Sequence, residues 1–457
     1  MLIERMVSLL QRSCAVTFAQ ARSQRRASEL SLGTLCSYGR RTFSRAICAV
    51  GRQDQDWSAD YKVFSRSPWD ADRLFDPVME EYLHRYPTGL ISVALDDTKL
   101  RKTGRKIASA FWQRDPLSPP FHVNLVYGLR FLGASLIFPH YKEGDVPARA
   151  VPVCFVECPA VKKPGKRADE EERRDYREAV KVHNLSRDGL QVMKGIRDSL
   201  DLMGGRERTV LIVVDGSLCN RTVFKADLDR MELLARCRKD ARLCFPAPRG
   251  SRRLYAPERF TPEGVRQDEN IPWKRAEVHF GGAWRKIRYK QVKGVLWRRG
   301  AGVRRLRLVV IAPQPYKFSP HARTHYRQPA YLLTTDDYTP AALLIQAYFD
   351  RWQIEVNHRE IKDILGVGQA QVWSARSVPR QPAFAVASYS LLLLAGLLEF
   401  GPGRSDRFIP FPKWRKNAKR PSALDLITLL RKEINETSAS DRLRAEIAQN
   451  SVSYAYT

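Results

Sequence analysis

The chain reads as an α/β fold whose sheet is interrupted by a basic, β-rich insertion, and three observations predict it. Two apolar runs, GLISVALDD (Gly89–Asp97) and TVLIVVDGS (Thr209–Ser217), have the length and β-branched content of buried strands, and both run into aspartate. Between them Leu185, Leu190, Val192, Met193, Ile196 and Leu200 recur at helical spacing. After them, residues 241–330 mix arginine, aromatic residues, glycine and proline with strand-like pieces such as EVHFGGAWRKIRYKQVKGVLW and RRLRLVVIAP.

From the N-terminus, residues 1–85 are arginine-rich and helical in pattern. Within them LGTLCSYGRRTFSRAICAVG (Leu32–Gly51) has the shape of a helix–turn–helix, with Gly39 in the turn and Arg40, Arg41 and Arg45 on the second helix. Two readings stand side by side here: a module that reads duplex DNA at a specific site, and a basic helical bundle without sequence readout. A continuous apolar stretch with a small-residue cleavage site is missing, which argues against a secretory signal; the Arg- and Ser-rich start has only a superficial likeness to a transit peptide.

Strands are predicted at Gly89–Asp97, Phe121–Gly133 and Ala148–Cys158, followed by an exposed charged connection at Lys162–Asp175, the helix Asn184–Met203 and the strand Thr209–Ser217. PAYLLTTDDYTP (Pro329–Pro340) returns as a strand and helix cap. Ala383–Phe400 is the most apolar segment, at the lower limit for crossing a bilayer; its mid-run Ser and Tyr and the Gly-Pro-Gly after it predict a buried core helix. The resulting plan is a helical, basic region that is a candidate for DNA binding (1–85), a first core segment (86–240), the insertion (241–330), a second core segment (331–405) and a C-terminal helical region (406–457).

Length and composition limit the function. The 457 residues, 44% hydrophobic and 10% aromatic, suffice for two or three folded domains. The 78 Lys and Arg outnumber 49 Asp and Glu for a net charge of +29, which implies a polyanionic partner. Nucleic acid is the commonest, but ribosomal and membrane-surface proteins share the trait. Between Ala241 and Ala330 there are 21 Lys and Arg against 5 Asp and Glu, more than half of the net charge, so that stretch is the expected phosphate-contacting surface. The eight cysteines are scattered, without a pair of pairs at zinc-ligand spacing. Cys154 and Cys158 fall in a strand pattern and read as buried free thiols, in keeping with a reducing cytoplasm.

The aspartates carry the chemistry. Carboxylates at strand ends of an α/β sheet face its crevice, and burying them is costly without a cation or donors. Asp97 and Asp215 sit at such positions, with Asp96 an ambiguity beside Asp97. Two carboxylates from adjacent strands and a third from a helix give the hard oxygen donors that magnesium prefers. YFDRWQIEVNHREIKDILG (Tyr348–Gly366) offers the third: at about 100° per residue, Tyr348, Arg351, Glu355 and Lys362 share one narrow face, and Glu360 lies about 140° from Glu355. An ordinary charged helix, with Glu355 neutralised by Arg351 and Lys362, is the alternative.

Tyr348, Arg351, Glu355 and Lys362 match at every spacing the tyrosine–two–arginine–three–glutamate–six–lysine signature of bacterial insertion-sequence DDE transposases, and the chain resembles that family. ALDDTKL resembles its first-aspartate motif and VVDGS its second. The resemblance, over roughly residues 89–400, implies an RNase H-like catalytic core interrupted by a β-rich insertion. It implies Asp97, Asp215 and Glu355 as the metal-binding catalytic triad, the Asp-Thr pattern favouring Asp97. Tyr348, Arg351 and Lys362 would hold DNA phosphates. Two Mg2+ ions, replaceable by Mn2+, would support cleavage at the element ends and strand transfer into target DNA, that is, cut-and-paste transposition. The implied partners are double-stranded DNA, as terminal inverted repeats and target, and a second copy of the chain, with no membrane. The implied location is the bacterial cytoplasm, on the nucleoid. Trp273, Trp284 and Trp297 are candidates to meet a flipped base, with a core or strand-pairing role as the alternative. Lys99, Arg101, Lys102 and Arg105 are expected to touch the DNA backbone or to form a solvated basic loop. A catalytically silent, domesticated DNA-binding protein on the same fold is the alternative function.

Overall fold

In the computed structural model, residues 1–115, 118–119, 121–143, 145–319, 321–403, 413–415 and 418–436 are described. Five helices precede the first strand: α1 (Leu2–Thr17), α2 (Ala21–Cys36), α3 (Phe43–Ala49), α4 (Ser58–Ser65) and α5 (Asp76–Arg85). They are not a separate bundle. The apolar stripe of α1, from Leu2 and Ile3 through Met6 to Leu10, joins the main core, and Ser31 of α2 donates to Ser388 across a buried 2.6 Å contact. Gly39 occupies the turn after α2 with φ +65°, as expected. The helix after it starts only at Phe43, so Arg40 and Arg41 lie in the connection and Arg45 alone is helical. Gly33 lets α2 and α3 cross: a Cβ there would meet the Ala46 carbonyl oxygen at 2.2 Å.

The sheet is continuous through twelve strands. Its first half comprises β1 (Ile91–Arg101), β2 (Phe111–Arg114), β3 (Leu125–Phe138), β4 (Arg149–Glu157), β5 (Val210–Val214) and β6 (Met231–Arg236). Central β1 pairs antiparallel with β3, which pairs antiparallel with β4, and pairs parallel with β5, which pairs parallel with β6. The charged connection after β4 is α6 (Glu170–Val182), without one buried residue, and α7 (Leu185–Leu202) buries Leu190, Val192, Met193, Ile196 and Leu200 as its periodicity requires. This mixed arrangement fits an RNase H-like α/β core.

A short α8 (Arg221–Phe224) follows β5. The basic stretch then supplies β7 (Leu243–Pro246), β8 (Tyr255–Phe260), the short α9 (Pro262–Gln267), β9 (Lys274–Phe280), β10 (Ala283–Leu296) and β11 (Arg305–Ile311). It is β-rich, as expected, but its strands extend the core sheet. A small hairpin of β12 (Pro315–Tyr316) and β13 (His325–Tyr326) leads to β14 (Ala330–Thr334), which lies between β6 and β11 and bonds to both. Then come α10 (Ala341–Asp350), α11 (Trp352–Asp363), α12 (Ser377–Phe400) and α13 (Ala423–Glu436). Among the described residues α12 is the one helix long and apolar enough to cross a bilayer. It is buried without interruption from Gln381 to Leu397, as the core helix expected here. Most of the C-terminal helical region, 404–412, 416–417 and 437–457, lies outside the described residues; α13 packs on α1 and α12.

Candidate active site

The helix carrying the signature is broken once. α10 ends at Asp350 and α11 begins at Trp352, with Arg351 between them still near helical dihedrals, φ −50° and ψ −33°. The Ile354 amide bonds back to the Arg351 carbonyl at 3.0 Å, a tighter turn than the α-helix. The expected face survives: Tyr348, Arg351 and Glu355 line one cleft together. Glu360 points elsewhere, accepting from the buried Tyr389 hydroxyl on α12, as its helical phase predicted.

β1 runs on to Arg101, so its two aspartates lie within the strand and their side chains project to opposite faces of the sheet. Asp96 is opposite Gly133 on β3, whose missing Cβ would sit 3.2 Å from His358 Nε2 on α11. Thr98, on the same face, accepts from Lys362 Nζ at 3.1 Å. Asp97 is opposite Leu132, which faces Gly189 of α7, and its neighbouring cations are Arg130 and Lys99. The structure therefore puts Asp97, the expected first carboxylate, on the far side of the sheet from Glu355. Asp96 lies on the Glu355 side: its Oδ2 is 3.5 Å from Arg351 Nη1, and Arg351 Nη2 donates to Glu355 Oε1 at 2.8 Å.

Asp215 follows β5 directly. The parallel register sets Val214 beside Leu95, and hence Asp215 beside Asp96. Ser217 holds the Asp215 carboxylate through its amide at 2.8 Å and its hydroxyl at 2.6 Å, a turn that fixes one oxygen. Asp215 lines the same cleft as Glu355, a space of about 840 Å3. The cleft is also lined by Arg236, Arg238, Lys239 and Arg266 from the end of β6, the turn after it and α9, with Arg266 paired to Glu263 and Arg238 to Asp240. Exposed Trp352 stands at the rim beside Glu355. These cations and Trp352 were not singled out from the sequence. For Trp352 the signal was available, because its helical phase is about 60° from that of Glu355.

Electrostatics separate the two aspartates further. Burial pushes Asp96 up to about 7; Arg351 opposes this, while Asp215, Asp97 and Glu355 add to it. Burial also raises Asp97; Arg130 and Lys99 oppose this and Asp215 adds to it. Lys362 is a second cation that feels Asp96, and Arg351 Nη1 and Nε are buried with no hydrogen-bond partner. The three carboxylates are hard oxygen donors of the kind a divalent cation such as Mg2+ takes, with Arg351 as the cation that bridges Asp96 and Glu355 in this arrangement.

The remaining predicted residues divide by what they touch. Lys362 is half-buried and held by Thr98, with burial lowering its pKa. Arg41 is committed to protein: its guanidinium donates to the carbonyls of Ser37 and Ile364, and its amide bonds Gln369. It braces the end of α2 to the loop after α11 and is not a free phosphate contact. Arg40 and Arg45 are exposed. Lys102 is buried, donating to the carbonyls of Gly368 at 2.8 Å and Ala370 at 2.7 Å, so it holds a loop in place of a DNA backbone. Trp297 packs against Phe224 and Trp273 beneath Lys290 and Arg288. Both are partly buried against the core, and Trp284 is exposed. Cys154 and Cys158 are buried and free.

No curated protein matches the chain. The description of DDE superfamily endonucleases matches residues 17–302, which includes both aspartates of β1 and Asp215 and stops before Glu355. Joined to a mixed α/β sheet and a cleft of carboxylates, that match, over more than half of the sequence, makes this chain a member of the DDE superfamily of endonucleases.

Proposed function

We propose that the chain is a cut-and-paste DNA transposase that nicks the ends of an insertion element and transfers the freed 3′ ends into target DNA. The observation that carries this reading is that Arg351 pairs with both Asp96 and Glu355, while Glu355, Arg351 and Asp215 line one cleft together with several basic side chains. As a DDE superfamily endonuclease the chain is a nuclease of transposase type with DNA as its substrate; element-end specificity and strand transfer are the further step proposed here. The matching tyrosine, arginine, glutamate and lysine spacings of residues 348–362 support that step.

Asp96, Asp215 and Glu355 would hold the divalent metal, Mg2+ with Mn2+ as substitute, which when bound activates the attacking water or 3′ hydroxyl and stabilises the leaving oxygen. The protein's part is positioning. Arg351 ties a strand carboxylate to the helix carboxylate, and Ser217 fixes Asp215. Tyr348 and Arg351, with Lys362 behind Thr98, contact phosphates next to the scissile bond. Arg236, Lys239 and Arg266 carry the adjoining backbone, and Trp352 offers a stacking face for a base lifted from the end. Arg40 and Arg45 contact end DNA away from the cut. Pairing of two ends implies a homodimer in the complex, and an insertion-element enzyme of this kind works on the bacterial nucleoid in the cytoplasm.

The test is cleavage of a labelled element-end duplex with Mg2+ by the wild type and by Asp215→Ala and Glu355→Gln. Each variant is expected to lose roughly a thousandfold or more in rate. Cleavage at the wild-type rate by both would sink the assignment.

A further inference from the structure

Away from the carboxylate cleft, the loop after β3 brings His140 and Asp145 against His279 at the end of β9. Their donor atoms all lie within 4.8 Å of one another. His140 Nε2 is 3.0 Å from Asp145 Oδ1, and His279 Nε2 is 3.7 Å from the same oxygen. The two imidazole centroids are 4.6 Å apart. Both His side chains are more than nine-tenths buried, at 7% and 5% exposure. His279 Nε2 and His140 Nδ1 are buried without a hydrogen-bond partner.

We propose that His140, Asp145 and His279 form a second metal site, for a borderline divalent transition ion such as Zn2+, which clasps the β3–β4 loop to the β9–β10 hairpin. Metal–ligand distances of about 2.0–2.2 Å set tetrahedral donor–donor edges near 3.3 Å, and the separations of 3.0 and 3.7 Å bracket that value. Two imidazoles and one carboxylate select zinc, iron, cobalt or nickel over magnesium, which prefers oxygen donors throughout. The ion would take the place of the proton between His140 and Asp145 and would satisfy the orphaned His279 nitrogen. His279 is also held by its backbone: Gln346 of α10 accepts from its amide at 2.8 Å and donates to its carbonyl at 3.1 Å. Trp284 stands with its ring centroid 4.9 and 5.8 Å from the two imidazoles, and a water would complete the tetrahedron around the ion. The exposed Lys419 ammonium works against a cation here, and solvent screening weakens its effect.

This site does not depend on the nuclease reading, and its test reads metal binding rather than cleavage. The full chain carrying Asp215→Ala, which removes one carboxylate of the other cluster, is stripped with chelator and titrated with Zn2+ and with Co2+. One ion per chain is expected, with a cobalt ligand-field spectrum and no thiolate charge-transfer band from the cysteines. His279→Gln and Asp145→Asn, the second an isosteric change at a half-exposed side chain, should each weaken binding at least about tenfold. Unchanged affinity in both variants, a thiolate band, or no bound ion in the parent would overturn the proposal.

Discussion

The two faces of β1 use the same residue type for different ends. On one face Asp96 looks toward α11, with Arg351 and Glu355 beside it and Asp215 on the next strand. On the other, Asp97 looks toward α7 with Arg130 and Lys99. Both feel the Asp215 carboxylate; Asp96 has Glu355 as a further acid and Arg351 as its main opposing cation, whereas Asp97 is opposed by Arg130 and Lys99. Both carboxyls are raised by burial, and the first arrangement carries the larger share of neighbouring negative charge. Strand alternation puts the two aspartates on different faces of the sheet.

The largest effect that can break this contrast is on rate. Asp96→Asn is expected to lower Mg2+-dependent cleavage by roughly a thousandfold or more, and Asp97→Asn to stay within about tenfold of wild type. The reverse ranking in a labelled-duplex assay would return the role to Asp97.

A smaller effect concerns protons held on the Asp96 face. Glu157 shares that face, because Thr98, Phe131 and Glu157 are cross-strand partners. Burial pushes Glu157 from 4.5 up to about 7, with Ser109 and Lys102 working against the shift. A raised carboxyl binds more protons in the folded than in the unfolded state, so its contribution is intact below pH 4.5 and is lost as the pH rises through about 7. Glu157→Gln should remove that decline, leaving the variant about 1–3 kcal/mol more stable at pH 8 and little changed at pH 4 in urea unfolding. Parallel pH profiles for variant and wild type would count against a buried, proton-holding Glu157.

The smallest effect separates bracing arginines from free ones. Arg41→Ala should cost about 1 kcal/mol of stability by removing the brace to the Ile364 carbonyl and should keep the salt dependence of end binding. Arg45→Ala should do the opposite, lowering the slope of log affinity against log salt by about 0.9 with little change in stability. A fall in slope for Arg41→Ala would restore it as a phosphate contact.

Much of this was legible in the sequence. The strands around Asp97 and Asp215 and the helix of Leu190 to Leu200 follow from hydrophobic period, and the split between Glu355 and Glu360 from helical phase. What was missed depended on register. ALDD has two aspartates, and which one faces α11 is decided by the pairing of β1 with β3, which local pattern does not specify. Arg41 and Lys102 read as free cations because their acceptors, the carbonyls of Ile364, Gly368 and Ala370, lie more than 260 residues away. His140 and His279 are distant in sequence and have no motif to join them.

The position of β14 bears on how such a chain can change. Because it is bonded on one side to β6 and on the other to β11, the basic segment cannot be trimmed as an appended module. Its loss would strip one edge of the strand that leads into the glutamate helix and present unpaired amides and carbonyls to neighbouring molecules. Length variation is therefore confined to the turns between strands, and a shortened derivative that keeps β10 and β11 should stay soluble where one lacking them aggregates.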